Sequence, residues 1–168
     1  MKLKDVPADR QNLQRITHLG LDEFERGVLH ITRYFLEAHE APETQSWHRA
    51  FLIAVECWGE PVGLSAAHAL SKYAKAILRF RSGGLVFHDP LSEDAREFAT
   101  NDEALTMAVL HYMRRDQTKY ARDAVAALTH GQMDPDVIRT ALSFANRFSA
   151  GVQPRRPQGR IPELRLAV

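Results

Sequence analysis

The sequence predicts an all-α, single-domain antiparallel helical bundle of about six to eight helices, followed by an extended basic C-terminal tail. Residues 1–151 are expected to form the helical domain, and residues 152–168 the Pro/Arg-rich tail. Three observations predict this. Apolar residues recur at steps of three and four through most of the chain, which places them on one stripe of a helix. The stretches between them are short turn signals, and short loops make neighbouring helices antiparallel. Finally, the apolar tripeptide Leu85-Val86-Phe87 has no second strand to pair with, and a lone strand is not a stable sheet.

Leu21, Phe24, Val28, Ile31, Phe35 and Ala38 form the stripe of the first helix. Asp22 and Glu23 favour the positive end of its dipole, and Pro42 cannot continue it. Gly27 lies inside at a cost of roughly 1 kcal/mol against Ala and is expected to admit another backbone. The second helix starts near Thr44, and Trp47, Ala50, Phe51, Ala54, Val55 and Trp58 are its expected buried face. Leu52 and Ile53 widen that face, so this helix is expected to be the most enclosed. The third runs over residues 62–81 with Leu64, Ala67, Leu70, Ala74, Ile77 and Leu78 inward, and Ser82-Gly83-Gly84 releases it. His88-Asp89-Pro90 then turns the chain into a short helix expected over residues 93–99.

The second half is punctuated more clearly. Thr100-Asn101-Asp102-Glu103 has the capping-box form and opens a helix expected to bury Leu105, Val109, Tyr112 and Met113. Arg114-Arg115-Asp116 makes a corner. The helix expected over residues 117–130 packs Tyr120, Ala124, Ala127 and Leu128, and Gly131 closes it. Asp134-Pro135 joins a favoured N-cap to proline at the first helical position. Ile138, Ala141, Leu142, Ala145 and Phe148 carry the last stripe, up to Gly151.

Composition bounds the function classes. A chain of 168 residues that is 45% hydrophobic and 26% charged is not collagen, a stalk or a wholly disordered polymer. No apolar run approaches the ~20 residues needed to span a bilayer. The segment Met1-Lys-Leu-Lys-Asp-Val-Pro7 is charged where a signal peptide needs apolar residues. Cys57 is the one cysteine, which rules out an intrachain disulfide and makes the reducing cytoplasm the expected compartment.

The formal charge of +1 conceals signed blocks. Residues 20–60 hold three bases against eight acids, and residues 89–103 one base against six. Residues 61–88 hold Lys72, Lys75, Arg79 and Arg81 with no acid, and the tail holds four arginines against Glu163. Such blocks either neutralise one another within the fold or present signed patches to a partner.

Catalytic motifs are not evident. Within the expected helices no histidine has a Glu or His three or four residues away on the same face, the spacing a bundle metal site uses. A ligand set drawn from separate helices, among His30, His48, His68 and His111, is the alternative: a metal- or small-ligand-binding bundle with interior histidines. Gly63-Leu64-Ser65 lacks the strand that a nucleophile elbow needs, so Ser65 reads as an early helix residue. Cys57, on a mostly apolar helix, is expected to be quenched by burial. Gly83-Gly84 has no Lys-Ser/Thr after it and is not a phosphate-cradling loop.

One polar face is sharper. Ser65, His68, Lys72, Lys75 and Arg79 step by three and four, and the row from His68 to Arg79 spans about 16 Å at ~1.5 Å per residue. Cations in line on a rigid rod can meet successive phosphates or an acidic strip. Two ordinary roles compete: favourable placement near a helix C-terminus, and pairing with the acidic blocks of the same chain. The sequence thus favours a non-catalytic adaptor or small subunit, without cofactor or metal. It would bind a protein or nucleic-acid partner through His68, Lys72, Lys75, Arg79, Arg81 and the tail's Arg155, Arg156 and Arg160. Trp47, Trp58 and the 85–87 segment are the candidates for self-association.

Overall fold

The computed structural model describes residues 1–2, 12–81 and 84–151. Among these, six α-helices carry the fold: α1 (Glu23–Glu40), α2 (Ser46–Trp58), α3 (Glu60–Phe80), α4 (Asn101–Arg114), α5 (Thr118–Leu128) and α6 (Pro135–Arg147). The all-α bundle expected from periodicity is therefore the architecture, with one small addition. Strand β1 (Leu13–Arg15) pairs antiparallel with β2 (Phe98–Thr100), Gln14 opposite Ala99. Among the described residues no helix is long and apolar enough to cross a membrane.

Helix α1 begins at a reciprocal cap. The Asp22 carboxylate accepts the Glu25 backbone N–H at 2.8 Å, and the Glu25 carboxylate accepts the Asp22 N–H at 3.0 Å. Seven consecutive residues, 31–37, are buried, so α1 is the central helix, packed on α2, α3 and α4. This corrects the expectation for α2, of which only Ser46, Ala50 and Ala54 are buried. Trp47 and Leu52 are half exposed. An α2 that is apolar nearly all round offers two faces, and the small-residue face won because it lets a neighbouring backbone approach. A Cβ on Gly63 would collide with the Ala54 carbonyl, so the α2–α3 crossing requires glycine there. Leu64 correspondingly turns outward rather than inward.

Gly27 also admits a close neighbour, but a ring rather than a backbone. A Cβ there would come within 2.8 Å of the Trp58 Cζ2. Trp58 continues into an aromatic cluster, with Phe24 at 4.5 Å between centroids and Phe144 and Phe148 beyond it. This cluster joins α1, α2 and α6.

Residues 84–100 depart most from expectation. Instead of a helix over 93–99, a short 3-10 turn at Asp94–Arg96 leads into β2. Leu85 and Phe87 are buried, and Phe87 forms an isolated parallel bridge with Lys2. Both pairings join residues more than eighty positions apart, which local periodicity does not register. Farther on, Thr100 and Glu103 make the expected box, at 3.1 and 2.8 Å. Asp134 caps α6 by accepting the Val137 N–H at 2.9 Å. Tyr120, Ala127 and Leu142, expected inside, are exposed. Ala121, Val125, Val137 and Phe144 fill the core of α5 and α6 instead.

Candidate functional site

Helix α3 divides cleanly. Its buried side is made by Gly63, Ala66, Ala67, Leu70, Tyr73, Ala74 and Ile77, and Tyr73 donates its hydroxyl to the Thr106 carbonyl at 2.9 Å. Seating these residues forces the opposite row, His68, Lys72, Lys75 and Arg79, into solvent. The structure thus brings those four expected residues together on one exposed face.

Helix α6 lies antiparallel along the same helix and extends that face. Arg147 Nη1, at its C-terminal end, donates to Ser65 Oγ at 3.0 Å. At the other end Asp136 stands 3.8 Å from Arg79, but its hydrogen bond, at 2.7 Å, goes to Arg139. The Arg139 hydrogen bond and charge, helped by Arg79, hold the Asp136 carboxyl below its ordinary value. Arg79 itself remains 71% exposed. Lys72 and Lys75 make no ion pair with any described residue. Arg147 was not singled out by sequence; its arrival beside Ser65 follows from helix packing.

Arg81 does not belong with them, which is a correction. Its guanidinium is forked on Asp102 at 2.8 and 3.2 Å, both side chains are 13% exposed, and Asp102 also accepts the Val86 N–H. This pair ties the end of α3 to the start of α4 and holds the 84–87 segment between them. Arg155, Arg156 and Arg160 lie outside the described residues.

The buried carboxylates of the acidic blocks are paired elsewhere. Glu103 is paired with Arg33 at 2.6 Å, both 1% exposed, and it also accepts the N–H groups of His88 and Thr100. Arg33 completes its fork on the carbonyls of Ala95 and Phe98. Glu25 receives Arg114, Arg115 and His111, while Asp22 takes the second hydrogen bonds of both arginines. Glu37 accepts from Lys2 at 2.6 Å and from Ser46 at 2.7 Å. These carboxylates satisfy Lys2, Arg33, Arg81, Arg114 and Arg115, not the α3 row. None of the buried pairs was legible in the sequence, since each joins elements far apart in the chain.

The histidines do not assemble. His111 Nδ1 lies 3.0 Å from Glu25, His30 packs edge-on against Tyr34, and His48 and His68 are exposed. Burial holds His30 below its ordinary pKa. His88 is buried with Nε2 lacking a hydrogen-bond partner among the described residues. Burial depresses its pKa; Glu103 and Asp94 oppose that shift and Arg33 reinforces it. Among the described residues no three His, Cys, Asp or Glu side chains converge to hold a metal ion. No family model matches the chain, and the searches of curated proteins and of solved structures returned no match.

Proposed function

We propose that this chain is a non-catalytic helical adaptor or small subunit that docks a polyanionic surface against α3. Its contacts are His68, Lys72, Lys75 and Arg79, extended by Arg147 of α6. The observation that carries this reading is the unequal use of charge. The buried carboxylates of both acidic blocks, Glu25, Glu37 and Glu103, and the half-buried Asp102 are taken up by bases on other elements, and Lys72 and Lys75 are left in solvent without an ion pair among the described residues. Cations at helical spacing on a rigid rod, with only the long, exposed Arg79–Asp136 pair to break, are available to meet a partner. They match the periodic charge of a phosphate backbone or of an acidic protein face.

The test is the charge-reversal set Lys72→Glu, Lys75→Glu and Arg79→Glu. All three residues are exposed, so the helical circular dichroism should be unchanged. Retention on heparin and the mobility shift of duplex nucleic acid should both be lost. If nucleic acid is the partner, log affinity against log salt should slope by about −3, roughly −0.9 for each phosphate neutralised. Retention on heparin with no nucleic-acid shift points to an acidic protein face. Unchanged retention by the reversed variant removes the proposal.

A further inference from the structure

We infer that the partner of the α3 face is the phosphate backbone of a nucleic-acid double helix, held without regard to sequence by two rows of cations, the second of them on α6. The inference rests on the docking reading above and adds Arg139 to it beside Arg147. Past Glu60, α3 and α6 together hold Lys72, Lys75, Arg79, Arg139 and Arg147 against the single carboxylate of Asp136. All five bases are exposed, Arg139 by 73%. Asp136 stands between Arg79 and Arg139, so one carboxylate faces two guanidiniums and a net positive charge remains. Exposed pairs of this kind contribute about 0.2–1 kcal/mol and give way readily to a phosphate.

The two helices run antiparallel, with Arg147 at the Ser65 end of α3 and Arg139 beside Asp136 at the Arg79 end. From Ser65 to Arg79 the face is about 21 Å long at ~1.5 Å per residue, and packed helix axes lie about 8–10 Å apart. One strand of a duplex presents roughly six phosphates over that length, at ~3.4 Å of axis each, enough for all five cations. An acidic protein fits less well. The centres of protein interfaces are depleted in lysine and anchored on large apolar side chains. Here Lys72 and Lys75 hold the centre, and the exposed Leu64 lies one turn before His68, at the end of the row. A single strand also fits less well, because its bases are held by stacking on aromatic rings. The exposed tryptophan and tyrosine among the described residues, Trp47 and Tyr120, belong to α2 and α5. Cations without a stacking platform or an apolar anchor read backbone charge alone.

The test measures the affinity of the full-length chain for short DNA and RNA duplexes of mixed sequence and for single strands of the same length, over a series of salt concentrations, with polyglutamate as competitor. Duplexes of unrelated sequence should bind alike and about tenfold tighter than single strands, and polyglutamate should not displace them. A preference between DNA and RNA duplexes supports the inference and identifies the form of helix. Arg139 and Arg147 should steepen the plot of log affinity against log salt by about 2 beyond the share of about −3 from the α3 cations, roughly −0.9 apiece. Arg139→Ala with Arg147→Ala should return the slope to about −3. The melting temperature should hold, since both side chains are exposed. Lys119→Ala with Arg122→Ala, exposed on α5, should leave the slope unchanged. A slope indifferent to the loss of Arg139 and Arg147 overturns the second row and leaves docking on α3 standing. Single strands binding as tightly as duplexes, or displacement by polyglutamate, overturns the double helix as partner. Only if the α3 charge-reversal set also retains heparin binding does the docking reading fall with it.

Discussion

Glu25 serves two neighbours at once. It is the third residue of α1, closing the capping box, and also the acceptor for Arg114, Arg115 and His111, with its own side chain 1% exposed. Burial pushes its pKa up. The Arg115 hydrogen bond, the Asp22 N–H, His111 and Arg114 outweigh that and bring it down to about 2. Because the folded value lies below the ordinary 4.5, the stabilisation is complete above pH 4.5 and is lost as pH falls toward 2. Glu25→Gln is expected to cost about 3 kcal/mol at pH 7, since the buried Arg114 is left with only the more exposed Asp22 as a charge partner. The same change should flatten the pH dependence across that window, and urea melts at a series of pH values measure both effects. The capping motif Asp22-x-x-Glu25 could have been read from the sequence, but the arginines that complete the site come from the end of α4, about ninety residues away.

At the scale of elements, α2 and α3 are joined by one residue, Gly59, and cross where Gly63 meets Ala54. The obstacle to a side chain at position 63 is backbone, which cannot rotate away as a flexible side chain can. Gly63→Ala therefore forces the two helices apart despite its better helix propensity. The expected loss is about 2 kcal/mol, or roughly 4–8 °C in melting temperature for a chain of this size. A thermal melt by circular dichroism reads it, and an unchanged melting temperature would mean that the crossing tolerates a methyl group. Helix starts are where sequence reading succeeded. Thr100 with Glu103, and Asp134 with Pro135, satisfy backbone N–H groups within three residues, so the whole motif lies in one short window. Faces were harder. Trp47, Leu64 and Leu142 fit the correct spacing for burial, yet which stripe turns inward depends on the neighbour that it meets.

For the whole molecule, the nearly balanced charge divides between two uses. Arg81 and the α3 row belong to the same acid-free block of sequence, but they are expected to respond oppositely. Arg81→Ala leaves Asp102 without its bidentate partner and should cost about 2 kcal/mol in stability, with little change in heparin retention. Lys72→Ala with Lys75→Ala should leave stability within about 0.5 kcal/mol and weaken retention. Paired urea melts and salt elutions separate the two outcomes. If both variants lose only stability, the α3 cations are structural and the docking face is lost with them.

The order of the helices, their caps, the stripe on each and the existence of a basic row on α3 are properties of short windows of sequence. Hydrogen bonding and side-chain spacing within a few residues determine them. The disposal of the charges was decided only when the chain folded. Lys2, Arg33, Arg81, Arg114 and Arg115 find carboxylates between 21 and 93 residues away, and α6 carries Arg147 to Ser65 across 82. Coulomb energy depends on distance in space, and distance along the chain does not supply it. Only tertiary packing therefore separates the arginines that hold the protein together from the lysines left facing outward.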